Sequence, residues 1–193
     1  MAIWEWFDKI DKSIFKAIHV DGAVPALDDF IILLRNQYLW IPLYVFIIYW
    51  IFRFHRQHAL KFVLLSLVCF AITDLVSFQI LKPMIGRLRP CYDKELASVI
   101  RHLVLCGGRE SMPSSHAANH FGLAAAWFFI IKMISGRKWY WLFFWALIIC
   151  YAQVYAGKHY PFDILVGAIF GIAAGYGMYK IFRKWSMTKT GKK

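Results

Sequence analysis

Charge is scarce in this sequence, and acidic charge scarcer still. Lys, Arg, Asp and Glu make up 18% of its 193 residues, and 11 acidic residues face 23 basic ones. A soluble domain carries about 25% charged residues. So little charge excludes a disordered chain, which stays unfolded for lack of apolar residues. Cysteine is sparse as well, with four in the chain, too few for a secreted disulfide scaffold. No C-x-x-C pair or paired histidine gives the spacing of a metal site. No basic stretch followed by a short apolar core reads as a signal peptide, and no internal repeat or low-complexity segment is evident. What is abundant is apolar surface: 60% of residues are hydrophobic and 19% aromatic. That disfavours an ordinary cytosolic enzyme and points to a bilayer, where the solvent is itself apolar.

The net charge of +12 resides in three stretches that contain no acid. They hold Arg53, Arg56 and Lys61; Lys132, Arg137 and Lys138; and Lys180, Arg183, Lys184, Lys189, Lys192 and Lys193. Each borders a long apolar run, the pattern of cytoplasmic loops under the positive-inside bias and not of a nucleic-acid groove. Five apolar runs can span a hydrocarbon core of roughly 30 Å, near Tyr38–Phe54, Leu60–Leu81, Ala117–Ile134, Trp139–Ala156 and Tyr160–Phe182. Gly167, Gly171 and Gly175 put a small-residue stripe on one face of the last run, suited either to close helix packing or to simple contact with lipid. Residues 1–37 form an amphipathic segment, with Trp4, Phe7, Ile10, Ile14, Phe15 and Ile18 at helical spacing, expected to lie on the membrane. The organisation expected is thus an interfacial segment (1–37), a transmembrane domain (38–183) and a basic cytoplasmic tail (184–193). Five spans with the basic stretches inside place the N-terminus, the 82–116 loop and the 157–159 turn outside. Cys91 and Cys106 share that loop, where a disulfide is permitted but not required; Cys69 and Cys150 fall within apolar runs and read as packing residues.

Three polar groups fall on this outer face. Lys82, Arg87 and Arg89 close the second run and can surround an anion, Lys as a point charge and Arg as a planar fork. Ser111-Met112-Pro113-Ser114-Ser115-His116 opens the third run, where a helix N-terminus offers free N–H groups. The segment from Gln153 to Asp163 joins the last two runs and includes Lys158, His159 and Pro161. The four-residue spacing of His159 and Asp163 can bring a carboxylate to one ring nitrogen, leaving the other as a nucleophile. Two histidines, a carboxylate and a cationic cradle are the parts of a phosphoryl-transfer site. Asp74 and His120, one turn from His116, read as supporting residues.

These residues resemble the signature of the type 2 phosphatidic acid phosphatases, a superfamily that includes vanadium haloperoxidases. Lys82, Arg89 and Pro90 match K-x6-R-P; Pro113, Ser114 and His116 match P-S-G-H with Ser115 in place of glycine; His159 and Asp163 match the end of S-R-x5-H-x3-D, whose leading pair is Ala152 and Gln153 here. The resemblance implies an all-α polytopic membrane bundle and a lipid phosphatase with no metal or other cofactor. It implies His159 as nucleophile, Asp163 as its orienting carboxylate and His116 as acid and base. Lys82, Arg89, Ser114 and Ser115 would hold the phosphoryl oxygens. Gln153 lacks the charge of the arginine it replaces, with Arg87 as the nearest substitute in sequence. The expected partners are the bilayer and a membrane lipid phosphate, and no nucleic acid. Undecaprenyl diphosphate is the first expectation, with phosphatidylglycerophosphate, phosphatidic acid and lipid A phosphate as alternatives. The expected location is the cell membrane, with the site outside and the C-terminus cytoplasmic. Two readings of other classes are a non-catalytic lipid-phosphate binder or transporter, and a vanadate-using oxidant; the pairing of His159 with Asp163 argues against the first, the membrane spans against the second.

Overall fold

The structure, a computed structural model, describes residues 2–187. Its elements follow the periodicity of the apolar runs. An N-terminal helix α1 (Ala2–Lys16) ends in a wider π turn, Ala17–Asp21, and a short α2 (Asp28–Leu34) follows. Then come α3 (Ile41–Phe54), α4 (Arg56–Leu75), α5 (Lys82–Ile85), α6 (Ser115–Ser135), α7 (Trp141–Tyr155) and α8 (Pro161–Met187). A π-helical stretch, Val76–Leu81, carries α4 directly into α5. No strand occurs among the described residues, and a lone antiparallel bridge joins Leu88 to Glu110.

Among the described residues, four helical segments are long and apolar enough to cross a membrane: Gln37–Phe54, Arg56–Ile85, Ser115–Ser135 and Pro161–Met187. The fourth of the five expected runs forms α7, apolar but only 15 residues long. Large side chains such as Phe46, Leu67, Phe144 and Ile169 are exposed around the bundle, as lipid-facing surface must be. This is an all-α, multi-pass membrane bundle. One of its ends collects the basic stretches: Lys61 Nζ, at the start of α4, donates to the Trp185 carbonyl at the end of α8 (2.9 Å). Of the basic tail expected at 184–193, Lys184–Met187 complete α8, and Lys189, Lys192 and Lys193 lie outside the described residues.

Helix α6 is the buried axis of the bundle. Trp127 on α6 stacks on Trp145 of α7 with ring centroids 5.8 Å apart. Its indole N–H donates to Ser66 Oγ of α4 (2.8 Å), giving a buried donor a partner where water is absent. The seam with α8 is the closest. A Cβ on Gly167 would sit 3.0 Å from the Ala117 Cβ, one on Gly171 2.9 Å from the Gly122 nitrogen, and one on Gly175 2.9 Å from the Ala126 nitrogen. The glycine stripe is therefore a packing surface and not lipid-facing filler. Helix–helix association in lipid rests on such close packing.

Helix α1 is amphipathic, but it is also clamped. Trp4, Trp6, Phe7, Ile10 and Ile14 stay exposed, whereas Phe15 is fully buried against Leu96, Val154 and Tyr160. Its polar face is tied down by Lys12 with Asp93 (2.9 Å) and by Asp11 accepting the Phe162 N–H (2.9 Å). His19 extends the clamp: Nδ1 donates to the Tyr155 carbonyl (2.8 Å) and Nε2 accepts from the Arg101 N–H (2.9 Å). Residues 2–37 are thus strapped across the end of the bundle opposite the basic stretches.

Gly171→Leu should force the seam open and lower the thermal midpoint in detergent, at a cost of at least about 1–3 kcal/mol from overpacking. Gly177→Leu, on the same helix but with nothing within 4 Å of its would-be Cβ, should leave the midpoint nearly unchanged. Equal shifts for the two would show that helix propensity, not the seam, governs the response.

Candidate active site

Three connections meet at the strapped end. After α5, Gly86 turns the chain in a left-handed conformation (φ 65°). Residues 87–89 then run antiparallel to 109–111: the Ser111 N–H donates to the Arg87 carbonyl (2.7 Å) and the Arg89 N–H to the Arg109 carbonyl (2.9 Å). A disulfide joins Cys91 to Cys106 across the intervening loop. Helix α6 begins at the N-cap Ser114, whose Oγ accepts the Ala117 N–H (3.4 Å). The Ser114 N–H donates to the Asp163 carbonyl (3.0 Å), pinning the start of α6 to the start of α8. Between α7 and α8, Gly157 (φ 74°) makes the turn that presents Lys158 and His159.

A polar cavity of about 190 Å³ lies where these segments converge, lined by Asp74, Phe78, Lys82, Arg89, Ser115, His116, Gln153, Lys158 and His159. Most of the residues expected from sequence are thereby brought together. Lys82 Nζ donates to the carbonyls of Ser111 (3.1 Å) and Glu110 (3.4 Å). Arg89 donates to the carbonyls of Glu110 (3.2 Å) and Cys106 (3.0 Å). Lys158 Nζ donates to the Cys106 carbonyl (2.6 Å) and also to that of Leu105. All three cations rest on neutral carbonyl oxygens, and none makes an ion pair with a carboxylate among the described residues. Among the described residues, Ser115 Oγ and Gln153 Nε2 of the cavity wall are, like His159 Nδ1, buried and without a hydrogen-bond partner. Unused donors beside uncancelled cations fit a tetrahedral oxyanion.

His159 is buried with Nδ1 3.5 Å from Asp163 Oδ2, the outer edge of hydrogen-bond reach. Burial pushes its imidazole down to about 4 against the opposing pull of Asp163, so the ring is neutral near pH 7. Asp163 is fully buried; Oδ2 accepts the Tyr160 N–H (2.9 Å) and Oδ1 pairs with Arg87 (3.0 Å). His116 lines the same cavity. One turn on, His120 Nδ1 donates to the His116 carbonyl (2.8 Å), and its ring meets Trp145 edge-on (5.1 Å).

Two candidates lie elsewhere. Arg87 does not line the cavity. It stacks over Tyr160 (4.1 Å) and faces Asp8 (3.0 Å), Asp11 (2.7 Å) and Asp163 (3.0 Å), so it braces the far side of Asp163 and does not take the place of the arginine absent at position 153. Ser114 is fully buried as the N-cap, and Ser115 holds the place on the cavity wall. Lys158 carried no assignment in the sequence, although it directly precedes His159; only the Gly157 turn reveals that it faces Arg89. Asp74 also borders the cavity, held by the Asn119 amide (3.0 Å), which is itself bonded to Thr73 (2.7 Å). Among the described residues, no three His, Cys, Asp or Glu side chains are grouped to hold a metal.

A second, apolar cavity of about 640 Å³ opens between α3, α4 and α6, with Tyr44, Phe62, Phe70, Leu123 and Trp127 in its walls. It shares Asp74, Ser115 and His116 with the polar one. Ile41 and Leu67 on its lining are exposed, which opens it toward the lipid.

A polar anion pocket joined to a lipid-facing groove, inside a bundle of membrane helices, is the build of an enzyme that works on the head of a lipid. The chain belongs to the PAP2 superfamily, whose family model matches residues 61–187; it is a membrane lipid phosphatase. A lipid A 4'-phosphatase of Bacteroides thetaiotaomicron is 32% identical over 188 residues, covering 93% of this chain and 80% of the relative. A lipid A 4'-phosphatase of Porphyromonas gingivalis is 24% identical over 183 residues, covering 92% of this chain and 75% of the relative. Among solved structures, LpxE of Aquifex aeolicus superposes with a TM-score of 0.60 at 25% identity, covering 87% of this chain and 93% of the other. A PAP2-type phosphatidylglycerolphosphate phosphatase of Bacillus subtilis shares the fold, with a TM-score of 0.70 at 22% identity over 92% of this chain and 87% of the other.

Burial, with Arg89 and Arg35 nearby, lowers the Lys158 ammonium to about 8. Its charge is present below that value and lost above it, so kcat/KM should fall as pH rises through about 8. Lys158→Arg should flatten that alkaline limb. An unchanged limb in the variant would assign the ionisation to another group.

Proposed function

We propose that this chain removes a phosphate monoester from lipid A or a similarly phosphorylated saccharolipid, through a phosphohistidine. The observation that carries the substrate is that both lipid A 4'-phosphatases match more than nine-tenths of the chain. Lipid A phosphate thereby moves ahead of undecaprenyl diphosphate, the first expectation from sequence. Lys82, Arg89, Lys158, Ser115 and Gln153 hold the phosphoryl oxygens, and the acyl chains occupy the apolar groove. The neutral His159 attacks phosphorus as the P–O ester bond breaks, and protonated His116 gives its proton to the departing sugar oxygen. His116 then takes a proton from water, whose oxygen displaces His159 and releases inorganic phosphate. Asp163 orients His159 and stabilises the charge that its ring gains. No metal enters these steps.

The positive-inside bias supports a site on the outer face of the cell membrane with the C-terminus cytoplasmic. The Cys91–Cys106 disulfide supports the same orientation, since such bonds persist in oxidising compartments.

Purified protein in EDTA should release phosphate from lipid A faster than from undecaprenyl diphosphate, phosphatidylglycerophosphate or phosphatidic acid. His159→Ala should lower the rate by at least about 100-fold and abolish the acid-labile phosphoprotein formed on rapid quenching. Preference for another lipid would overturn the substrate, and loss of activity in EDTA would overturn the metal-free route.

A further inference from the structure

Arg35 ends α2, in the N-terminal strap and far in sequence from every catalytic motif. It is half-buried, and its Nε donates to Oε1 of Gln153 (3.4 Å). It has no carboxylate partner among the described residues, an expensive state for a guanidinium removed from water. Burial comes first among the effects that disfavour its charge, and the nearby Arg89 adds repulsion. An anion between Arg35 and Arg89 would relieve both. Gln153 connects the cavity to Arg35: it is buried on the cavity wall, its oxygen is turned to Arg35, and its Nε2 has no partner among the described residues. Because a guanidinium can only donate, it holds the amide oxygen on its own side and leaves the amide N–H groups for the cavity.

We propose that Arg35 and Gln153 act together as a divided arginine, in which Gln153 donates the hydrogen bond to the substrate phosphate while Arg35 fixes the amide and supplies the positive charge from behind. Arg35 is a positioning residue for phosphate binding, and the N-terminal strap is part of the active site. This deepens the phosphatase reading above, yet it concerns anion binding and can be tested apart from turnover. It also accounts for a site that keeps both histidines and Asp163 with an uncharged residue at position 153.

The test uses the full chain in detergent, with two readouts: lipid A hydrolysis, and binding of orthovanadate by titration calorimetry. Arg35→Ala and Arg35→Gln should weaken vanadate and lower kcat/KM by about 10- to 100-fold, the range for a lost charge-assisted bond. Arg35→Lys should recover only part of the loss, since a point charge does not hold the amide as a planar fork does. The deciding variant is Arg35→Ala with Gln153→Arg. Reuniting charge and donor in one side chain should restore vanadate affinity, whereas Gln153→Arg alone should not improve it, because the new guanidinium would face Arg35. A merely structural Arg35 would instead lower the thermal midpoint and gain nothing from Gln153→Arg. Unchanged vanadate affinity in Arg35→Ala, or no rescue in the double variant, overturns the proposal even if the wild type hydrolyses lipid A. Vanadate binding that depends on Arg35, in a protein that hydrolyses no lipid, would uphold the proposal while overturning the phosphatase reading.

Discussion

The cations of the polar cavity are held in place without being neutralised, and the rest of the structure is arranged around that constraint. Lys82, Arg89 and Lys158 all donate to backbone carbonyls, those of Leu105, Cys106, Glu110 and Ser111, within the short stretch 105–111. A carbonyl fixes a donor's position but carries no net charge, so the positive potential remains for a substrate. Asp8 and Asp11 lie on the other side of Asp163, where Arg87 absorbs them, and Asp74 on the cavity wall is held by the Asn119 amide. The antiparallel pairing of 87–89 with 109–111, the Cys91–Cys106 disulfide and the α1 strap all hold the carbonyl-bearing stretch against the helix ends.

Below this surface, the geometry descends from one helix seam. Gly167, Gly171 and Gly175 let the backbones of α6 and α8 touch, and the bond from the Ser114 N–H to the Asp163 carbonyl closes the top of that seam. His116 rides on the first turn of α6 and Asp163 on the first turn of α8. Their separation is therefore set by packing over several helical turns, not by a loop. The same seam sets the depth of His159, which precedes α8 by two residues. Rigid helix ends suit groups that must keep a fixed separation, as the proposed chemistry requires.

Much of this was legible in the residues. Long apolar runs leave no alternative to helices in lipid, and the Lys82, His116 and His159 motifs stand out because polar groups at span ends are few. What stayed hidden depended on distant segments. The sequence puts Arg87 beside Arg89 as a second cation for the anion; Asp8 and Asp11, brought by α1, together with Asp163 draw Arg87 away from the cavity. Ser114 and Ser115 differ by one position, and the capping geometry decides which faces the wall. Cys91 and Cys106 left a disulfide open until the loop brought their Cα atoms to 6.3 Å. Arg35 gave no signal at all, because its meaning lies in Gln153, across the strap from it.

Helix α7 has 15 residues, hence a length of about 22 Å, some 8 Å less than the hydrocarbon thickness of roughly 30 Å. Trp139, Tyr140 and Trp141 mark one end of it, with rings suited to the headgroup zone. The shortfall therefore falls at the other end, beside Lys158 and His159. A bilayer meets such a mismatch by pinching inward or by letting headgroups and water sink to the helix end. Either response lowers the polar border of the membrane to the mouth of the polar cavity. A lipid can then present its head to the histidines with no need to rise out of its leaflet: the short helix brings the membrane surface down to the enzyme.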